Sequence, residues 1–111
     1  MDSGDMKHLV LVKFKEGISI QEIVEGMESL ASKLEYVKAF EWGQDVGSEE
    51  LLRQGFTYVF TLTFGSPEDF MAYSSHPSHL EFAGKFMAAI EKVIVFDYTP
   101  VLMKSSEEKL A

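Results

Sequence analysis

The stretch Phe56-Thr-Tyr-Val-Phe-Thr-Leu-Thr-Phe64 decides the fold, because a large apolar side chain occupies every second position. Strict alternation with a period of two predicts a β-strand, in which successive side chains point to opposite faces of a sheet. The other positions carry threonines and Val59. The pattern therefore predicts a strand with one strongly apolar face, on which helices can pack.

Three further strands are predicted around this one, at residues 8–14, 37–44 and 93–98, from their β-branched and alternating composition. Helical patterns separate them, which gives the order βαββαβ. That order predicts an α+β fold of the ferredoxin-like type, with a four-stranded antiparallel sheet and helices on one face.

The helices are predicted from their start signals. Ser19, followed three residues later by Glu22, forms a capping box before an apolar stripe that continues to about residue 34. Ser66 precedes a proline and two acidic residues, a strong start for a second helix. Pro77 ends that helix and begins another, which reaches about residue 89. A single helical turn between residues 45 and 55 is predicted to be capped by Ser48.

Apolar residues on both faces of the strands predict a second copy of the chain. Leu9, Leu11, Val59 and the run at 93–96 supply the face away from the helices, and Phe40 and Trp42 are also assigned to it. Four or five large apolar side chains left in water would forgo roughly 10 kcal/mol, as much as the whole stability of a typical domain. A homodimer with sheet packed against sheet is the expected solution, rather than an open monomer.

Length and charge restrict the classes of partner. The 111 residues suggest one domain, assigned to residues 6–101, and a charged tail at 102–111. Net charge is −8, with Arg53 as the only arginine, so neither nucleic acid nor an anionic membrane is an expected partner. No apolar run is long enough to span a bilayer. The absence of cysteine suits a reducing compartment, and a cytoplasmic location is expected.

The segment Tyr73-Ser-Ser-His76-Pro-Ser-His79 carries the groups best suited to chemistry. His79 shares a helical face with Phe82 and Phe86, so its ring is predicted to point inward, as is the ring of Tyr73. Strand parity places His8 and Tyr58 on the helix-facing side of the sheet. The sequence thus predicts one cavity between sheet and helices, lined by His8, Tyr58, Tyr73, His79, Phe82 and Phe86.

Two interpretations of this cavity stay open at the level of the sequence. A neutral imidazole accepts a proton at pH 7, and a tyrosine hydroxyl donates to a developing enolate or holds a phenolic ligand. Alternatively, Tyr73 and His79 only pack and hydrogen-bond within the core. The His76-x-x-His79 spacing lacks further ligands, and His76 is better placed as a helix cap, so no metal is predicted. No phosphate-binding loop or axial ligand indicates an organic cofactor.

Five segments in order resemble the stress-responsive A/B barrel proteins, a family common in plants within the dimeric α+β barrel superfamily. They are Lys7 to Lys15, Trp42 to Val46, Gly55 to Tyr58, Tyr73 to His79, and Phe96 to Pro100. The resemblance covers about residues 6–101. It implies a ferredoxin-like protomer, a homodimer and a stress-related role.

One enzyme of that family closes a polyketide chain, and its catalytic tyrosine and histidine match Tyr73 and His79, while its strand-one histidine matches His8. Where that enzyme has a further pocket histidine, this chain has Tyr58. The lead hypothesis is a homodimer with one small pocket per protomer for a hydrophobic or phenolic ligand. The alternatives are a cofactor-free enzyme of the cyclase or isomerase type and a purely structural or interaction module.

Overall fold

A computed structural model describes residues 4–105 of the chain, so most of the predicted tail at 102–111 lies outside the described residues. Within this part, strands and helices follow in the predicted order. None of its helices is both long enough and apolar enough to cross a membrane. The elements are β1 (Met6–Phe14), α1 (Ile20–Lys33), β2 (Val37–Gln44), α2 (Glu50–Arg53), β3 (Tyr58–Phe64), α3 (Pro67–Ser75), α4 (Pro77–Ala89) and β4 (Ile90–Tyr98).

The four strands form one sheet in the order β2-β3-β1-β4, and each neighbouring pair is antiparallel. This order confirms the predicted ferredoxin-like α+β fold. β1 and β3 are central, so both of their edges are paired. Helices α1, α3 and α4 cover one face, which we call the helix face. The opposite side of the sheet is called the open face.

Strand parity sets the core as predicted. Phe60 and Phe64 are fully buried on the helix face, together with Val12 of β1. The ring of Phe60 packs edge-to-face against Phe14 at a centroid distance of 6.2 Å and against Phe86 at 6.1 Å. It stacks on Trp42 at 6.2 Å. Rings from the neighbouring strands β1 and β2 and from α4 therefore pack around one side chain of β3.

Helix starts follow the predicted signals with one exception. The hydroxyl of Ser19 accepts a hydrogen bond from the Glu22 amide at 3.3 Å, and Ser66 caps α3 in the same way. The prediction that Ser48 caps α2 is wrong, because Glu49 holds the cap position and its side chain makes no capping bond. The Ser48 hydroxyl instead donates to Asp45 at 2.5 Å.

The assignment of Phe40 and Trp42 to the open face is also wrong. Phe40 lies opposite Leu62 and Trp42 lies opposite Phe60, so both are on the helix face. The cause is a register shift between residues 37 and 39, where β2 carries one residue more than β3. Such a bulge reverses the parity of every residue beyond it, so Val37 and Phe40 face the same side.

The open face carries an apolar patch in the described residues, as the sequence predicts. Leu9 pairs with Phe96 and Leu11 with Ile94 across β1 and β4. Ile94 is 38%, Phe96 59% and Tyr98 41% exposed. Helices α1, α3 and α4 lie on the helix face, so within residues 4–105 only the single turn of α2 lies beside the open face, and it leaves these side chains exposed.

Candidate functional site

The junction between α3 and α4 places the two residues of greatest chemical interest. A proline at the first position of α4 cannot continue α3, so the chain breaks there. His76 caps both sides of the break. Its amide donates to the Tyr73 carbonyl at 3.1 Å, and its Nδ1 accepts from the Ser78 amide at 3.1 Å. The predicted capping role of His76 is confirmed.

His79 completes the junction from the first turn of α4. The last carbonyls of a helix have no partner within it, and that of Ser74 accepts a hydrogen bond from His79 Nδ1 at 2.9 Å. Because a carbonyl oxygen only accepts, Nδ1 carries the proton in this bond. The neutral imidazole then has its lone pair on Nε2, which makes that atom a hydrogen-bond acceptor and a base.

Tyr73 lies beside this imidazole on the last turn of α3. The two ring centroids are 4.6 Å apart with an interplanar angle of 50°, and the tyrosine ring packs 5.0 Å from Phe64. Burial raises the pKa of Tyr73 to about 12, because the interior disfavours the phenolate. At neutral pH its hydroxyl is therefore a proton donor.

The surroundings of His79 keep the imidazole neutral. Burial lowers its pKa below the ordinary 6.5, the hydrogen bond to the Ser74 carbonyl opposes this, and positive charge on His8 adds to the lowering. Among residues 4–105, no group hydrogen-bonds the Tyr73 hydroxyl or His79 Nε2. A donor and an acceptor thus stand side by side, both available to a third molecule.

These shifts predict the pH dependence of both rings. We expect His79 to titrate below 6.5 and Tyr73 at about 12 in the folded protein, as measured by NMR of the two side chains. Since the unfolded chain protonates His79 more readily, the contribution of His79 to stability is present above pH 6.5 and is lost as the pH falls from that value through the lower pKa of the folded protein. Tyr73 contributes to the stability of the folded protein below pH 10, and this contribution is lost as the pH rises toward 12. A His79 titration above 6.5 would contradict this account.

Both rings line a cavity of about 70 Å³ between the sheet and the helices. Its wall is mostly apolar. The sequence predicts five of the nine residues that line it, namely His8, Tyr73, His79, Phe82 and Phe86. The other four lining residues are Val10, Met27, Leu62 and Ala83.

His8 enters the cavity from β1 and is held by a residue that the sequence prediction missed. Its Nδ1 lies 2.5 Å from Oδ1 of Asp97, its direct neighbour on β4. A carboxylate only accepts hydrogen bonds, so Nδ1 of His8 is the donor. The signal for Asp97 is the one acidic residue in the predicted strand at 93–98, but its pairing with His8 requires the register of β1 and β4.

Tyr58 does not line this cavity, in contrast to the prediction. It is opposite Val12, whereas Leu62 is opposite His8, so Tyr58 lies four residues, or roughly 13 Å, farther along β3. Its ring instead packs 5.5 Å from Phe14 and 6.3 Å from Trp42. Parity correctly gives the face of a strand residue and leaves its position along the strand undetermined.

A larger groove of about 520 Å³ lies on the open face, beside α2. Its wall is mainly apolar, including Leu9, Leu52 and Ile94. The charged groups Asp45 and Arg53 pair with each other at 3.3 Å. This groove is part of the uncovered sheet surface and contains no counterpart of the Tyr73–His79 pair. Within residues 4–105, no three His, Asp or Glu side chains are grouped as a metal site.

Comparison with known proteins identifies a family and several relatives. A sequence profile of the family described as Stress responsive A/B Barrel Domain matches residues 6–100. A stress-response A/B barrel domain-containing protein of Arabidopsis thaliana is 45% identical over 106 residues, covering 96% of each chain. Olivetolic acid cyclase of Cannabis sativa is 32% identical over 98 residues, covering 86% of this chain and 96% of the cyclase.

Solved structures show the same fold. The hydroxynitrile lyase from Passiflora edulis superposes with a TM-score of 0.82 at 28% identity, covering 93% of this chain and 99% of the lyase. A protein from Jannaschia sp., described as dimeric and ferredoxin-like, has a TM-score of 0.75 at 25% identity and covers 87% of this chain and all of that one. The relatives thus include two named enzymes and a dimer.

Proposed function

This chain belongs to the stress responsive A/B barrel domain family, and from that premise we propose that it acts as a homodimer with one small-molecule site per protomer. The ligand is an apolar molecule with a phenol or hydroxycarbonyl head, bound in the cavity at Tyr73 and His79. The absence of cysteine suits the reducing conditions of the cytoplasm, where we place the protein.

The observation that supports this site is the neutral donor–acceptor pair in an apolar cavity. The Tyr73 hydroxyl donates, His79 Nε2 accepts, and the rings are fixed 4.6 Å apart by the α3–α4 junction. A phenol oxygen can accept from the first group while its proton is donated to the second. Binding sites of this type combine an apolar lining with a few placed polar groups.

The open face supports the homodimer. Full burial of each large apolar side chain contributes about 1.5–3 kcal/mol, and Ile94, Phe96 and Tyr98 are all substantially exposed in one copy. A second copy brings an identical apolar face, so a twofold axis buries both at once. The dimeric state of the Jannaschia protein agrees with this arrangement.

Binding of phenol tests the site directly. We expect phenol to shift the side-chain NMR signals of Tyr73 and His79, and Tyr73→Phe or His79→Ala to weaken its binding about tenfold through loss of one hydrogen bond. Tyr58→Phe is the matched control, because it removes a tyrosine hydroxyl outside the cavity and should leave the affinity unchanged. His79→Phe keeps a ring at that position should the alanine variant be poorly folded.

Two results would contradict a phenol site at Tyr73 and His79. If phenol leaves both signals unchanged in the folded wild-type protein, the pair does not form a ligand site of this class. The cavity would then be part of the core, as in the structural alternative. If Tyr58→Phe weakens phenol binding as much as Tyr73→Phe does, phenol does not bind in this cavity.

A second candidate is a cofactor-free enzyme, favoured by the third polar group in the cavity. His8 lines the cavity, and its ring is oriented by the hydrogen bond to Asp97. His79 Nε2 would take a proton from substrate, and the Tyr73 hydroxyl would donate to the oxygen that becomes negative. Two relatives are named as a cyclase and a lyase. Turnover that persists in folded Tyr73→Phe or His79→Ala protein would rule out these roles.

A further inference from the structure

Three consecutive apolar side chains that follow β4 are uncovered in one copy of the chain. Val101, Leu102 and Met103 are 80%, 63% and 88% exposed. Pro100 precedes them, and because proline cannot donate a hydrogen bond to a strand ladder, the chain leaves the sheet at this point. We call residues 100–103 the arm. A run of exposed apolar residues is unusual in a folded protein unless the run contacts another molecule.

The groove beside α2 on the open face is uncovered as well. Its volume is about 520 Å³, and its mainly apolar wall includes Leu11, Leu52 and Ile94. Leu11 pairs with Ile94 across β1 and β4, and the same face continues through Leu9 and Phe96. The groove is thus continuous with the surface that the proposed homodimer buries. A second copy of the chain is therefore the molecule best placed to fill it.

The arm leads away from the groove of its own copy. β4 runs from Ile90 to Tyr98, and its last residue pairs with Lys7 near the beginning of β1. The groove lies four residues back, at Ile94, which is roughly 13 Å along the strand. A twofold axis that crosses the strands reverses their direction in the partner. The end of β4 in one copy then lies over the groove end of the sheet in the other.

The length and the charge of the segment fit this arrangement. Residues 99–103 span at most roughly 17 Å when extended, which is enough to lie along a groove of this volume. Lys104 follows the arm, and α2 begins with the acidic residues Glu49, at its cap, and Glu50. Within residues 4–105, none of these three side chains takes part in an ion pair. An apolar arm followed by a cation thus matches an apolar groove beside two carboxylates.

We propose that the two copies of the homodimer exchange their arms, and that Leu102 of each copy packs in the groove of the other. In an extended chain, Leu102 has the parity of Phe96 and Tyr98, whose side chains are on the open face. Each groove is then complete only when the second copy is present. This inference rests on the homodimer of the proposed function and adds the segment that links the two copies.

Introduced cysteines test the contact without background, because the chain contains none. We mix Leu52→Cys protein with Leu102→Cys protein and expect oxidation to give much more disulfide-linked dimer than either variant gives alone. Such a bridge requires the two Cα atoms to approach within about 7 Å. The matched control mixes Leu80→Cys with Leu102→Cys, since Leu80 is an exposed leucine on α4. This mixture should give no more linked dimer than Leu102→Cys alone.

The affinity of the dimer gives an independent measurement. We expect Leu102→Ala to raise the dissociation constant about tenfold, as measured by sedimentation equilibrium, because its side chain leaves an apolar groove. Met71→Ala is the control. Met71 lies on α3 and is 66% exposed, nearly the same fraction as Leu102, so its truncation should leave the dissociation constant unchanged.

The results separate arm exchange from the dimer itself. Suppose that the wild-type protein is dimeric. If the Leu52→Cys and Leu102→Cys mixture then links no better than the control, or Leu102→Ala keeps the wild-type dissociation constant, arm exchange is refuted and the homodimer stands. A disulfide formed within single chains of Leu52→Cys/Leu102→Cys protein places the arm in its own groove and also refutes exchange. If the wild-type protein is monomeric, the homodimer and arm exchange are both refuted.

Discussion

Replacing Phe96 by aspartate is expected to convert the proposed dimer into a 12.5 kDa monomer. Phe96 is the most exposed of the large apolar side chains on the strands of the open face, at 59%. Twofold symmetry places a charge from each copy in the interface, and the effective cost of burying an unpaired charge is several kcal/mol per ion. Dissociation should therefore become at least about a thousandfold more favourable. Sedimentation equilibrium at low micromolar concentration measures the change.

The matched control is Leu80→Asp on the outer surface of α4. Leu80 is 58% exposed, so both variants place an aspartate at an equally exposed apolar position. We expect Leu80→Asp to remain dimeric. A wild-type protein that sediments as a monomer, or a Phe96→Asp variant that stays dimeric, would contradict the assignment of the open face to self-association.

The second large effect is expected for Phe60→Ala, at the centre of the core. Phe60 has no exposed surface and is surrounded by the rings of Phe14, Trp42 and Phe86. Truncation of such a phenylalanine typically lowers the free energy of unfolding by about 3–5 kcal/mol, through lost burial and the cavity that remains. Because a typical domain is stable by only about 5–15 kcal/mol, the variant should be close to unfolding.

Urea denaturation at a fixed protein concentration measures this change, since dimer formation makes stability depend on concentration. Leu51→Ala serves as the control, because Leu51 is 86% exposed on α2 and should change the free energy of unfolding by less than about 0.5 kcal/mol. A loss for Phe60→Ala no larger than that of Leu51→Ala would contradict the packing described for β3.

Most of the fold was predictable, because periodicity and caps are local properties of the chain. The alternation along β3, the Ser19 and Ser66 caps and the proline break at residue 77 all hold in the structure. The bulge near residue 38 was not predictable from parity, and it moved Phe40 and Trp42 to the other face. Ser48 was misassigned because a side-chain bond to Asp45 competes with the cap.

The site residues were predictable where they lie on one face of a helix, and less so where their position depends on how two strands pair. His79, Phe82 and Phe86 follow from helical spacing, and Tyr73 from the preceding helix. The placement of Tyr58 in the cavity was wrong, because the offset between β1 and β3 decides which rows of side chains meet. The pairing of Asp97 with His8 needed the strand register, which single-sequence patterns do not contain.

The central claim is that Tyr73 and His79 together hold the polar head of a ligand in each protomer. A crystal structure of the protein with phenol tests it most directly. We predict the phenol oxygen within about 3 Å of both the Tyr73 hydroxyl and His79 Nε2. Phenol bound only at the open face, with the cavity closed and both groups bonded within the protein, would contradict the account.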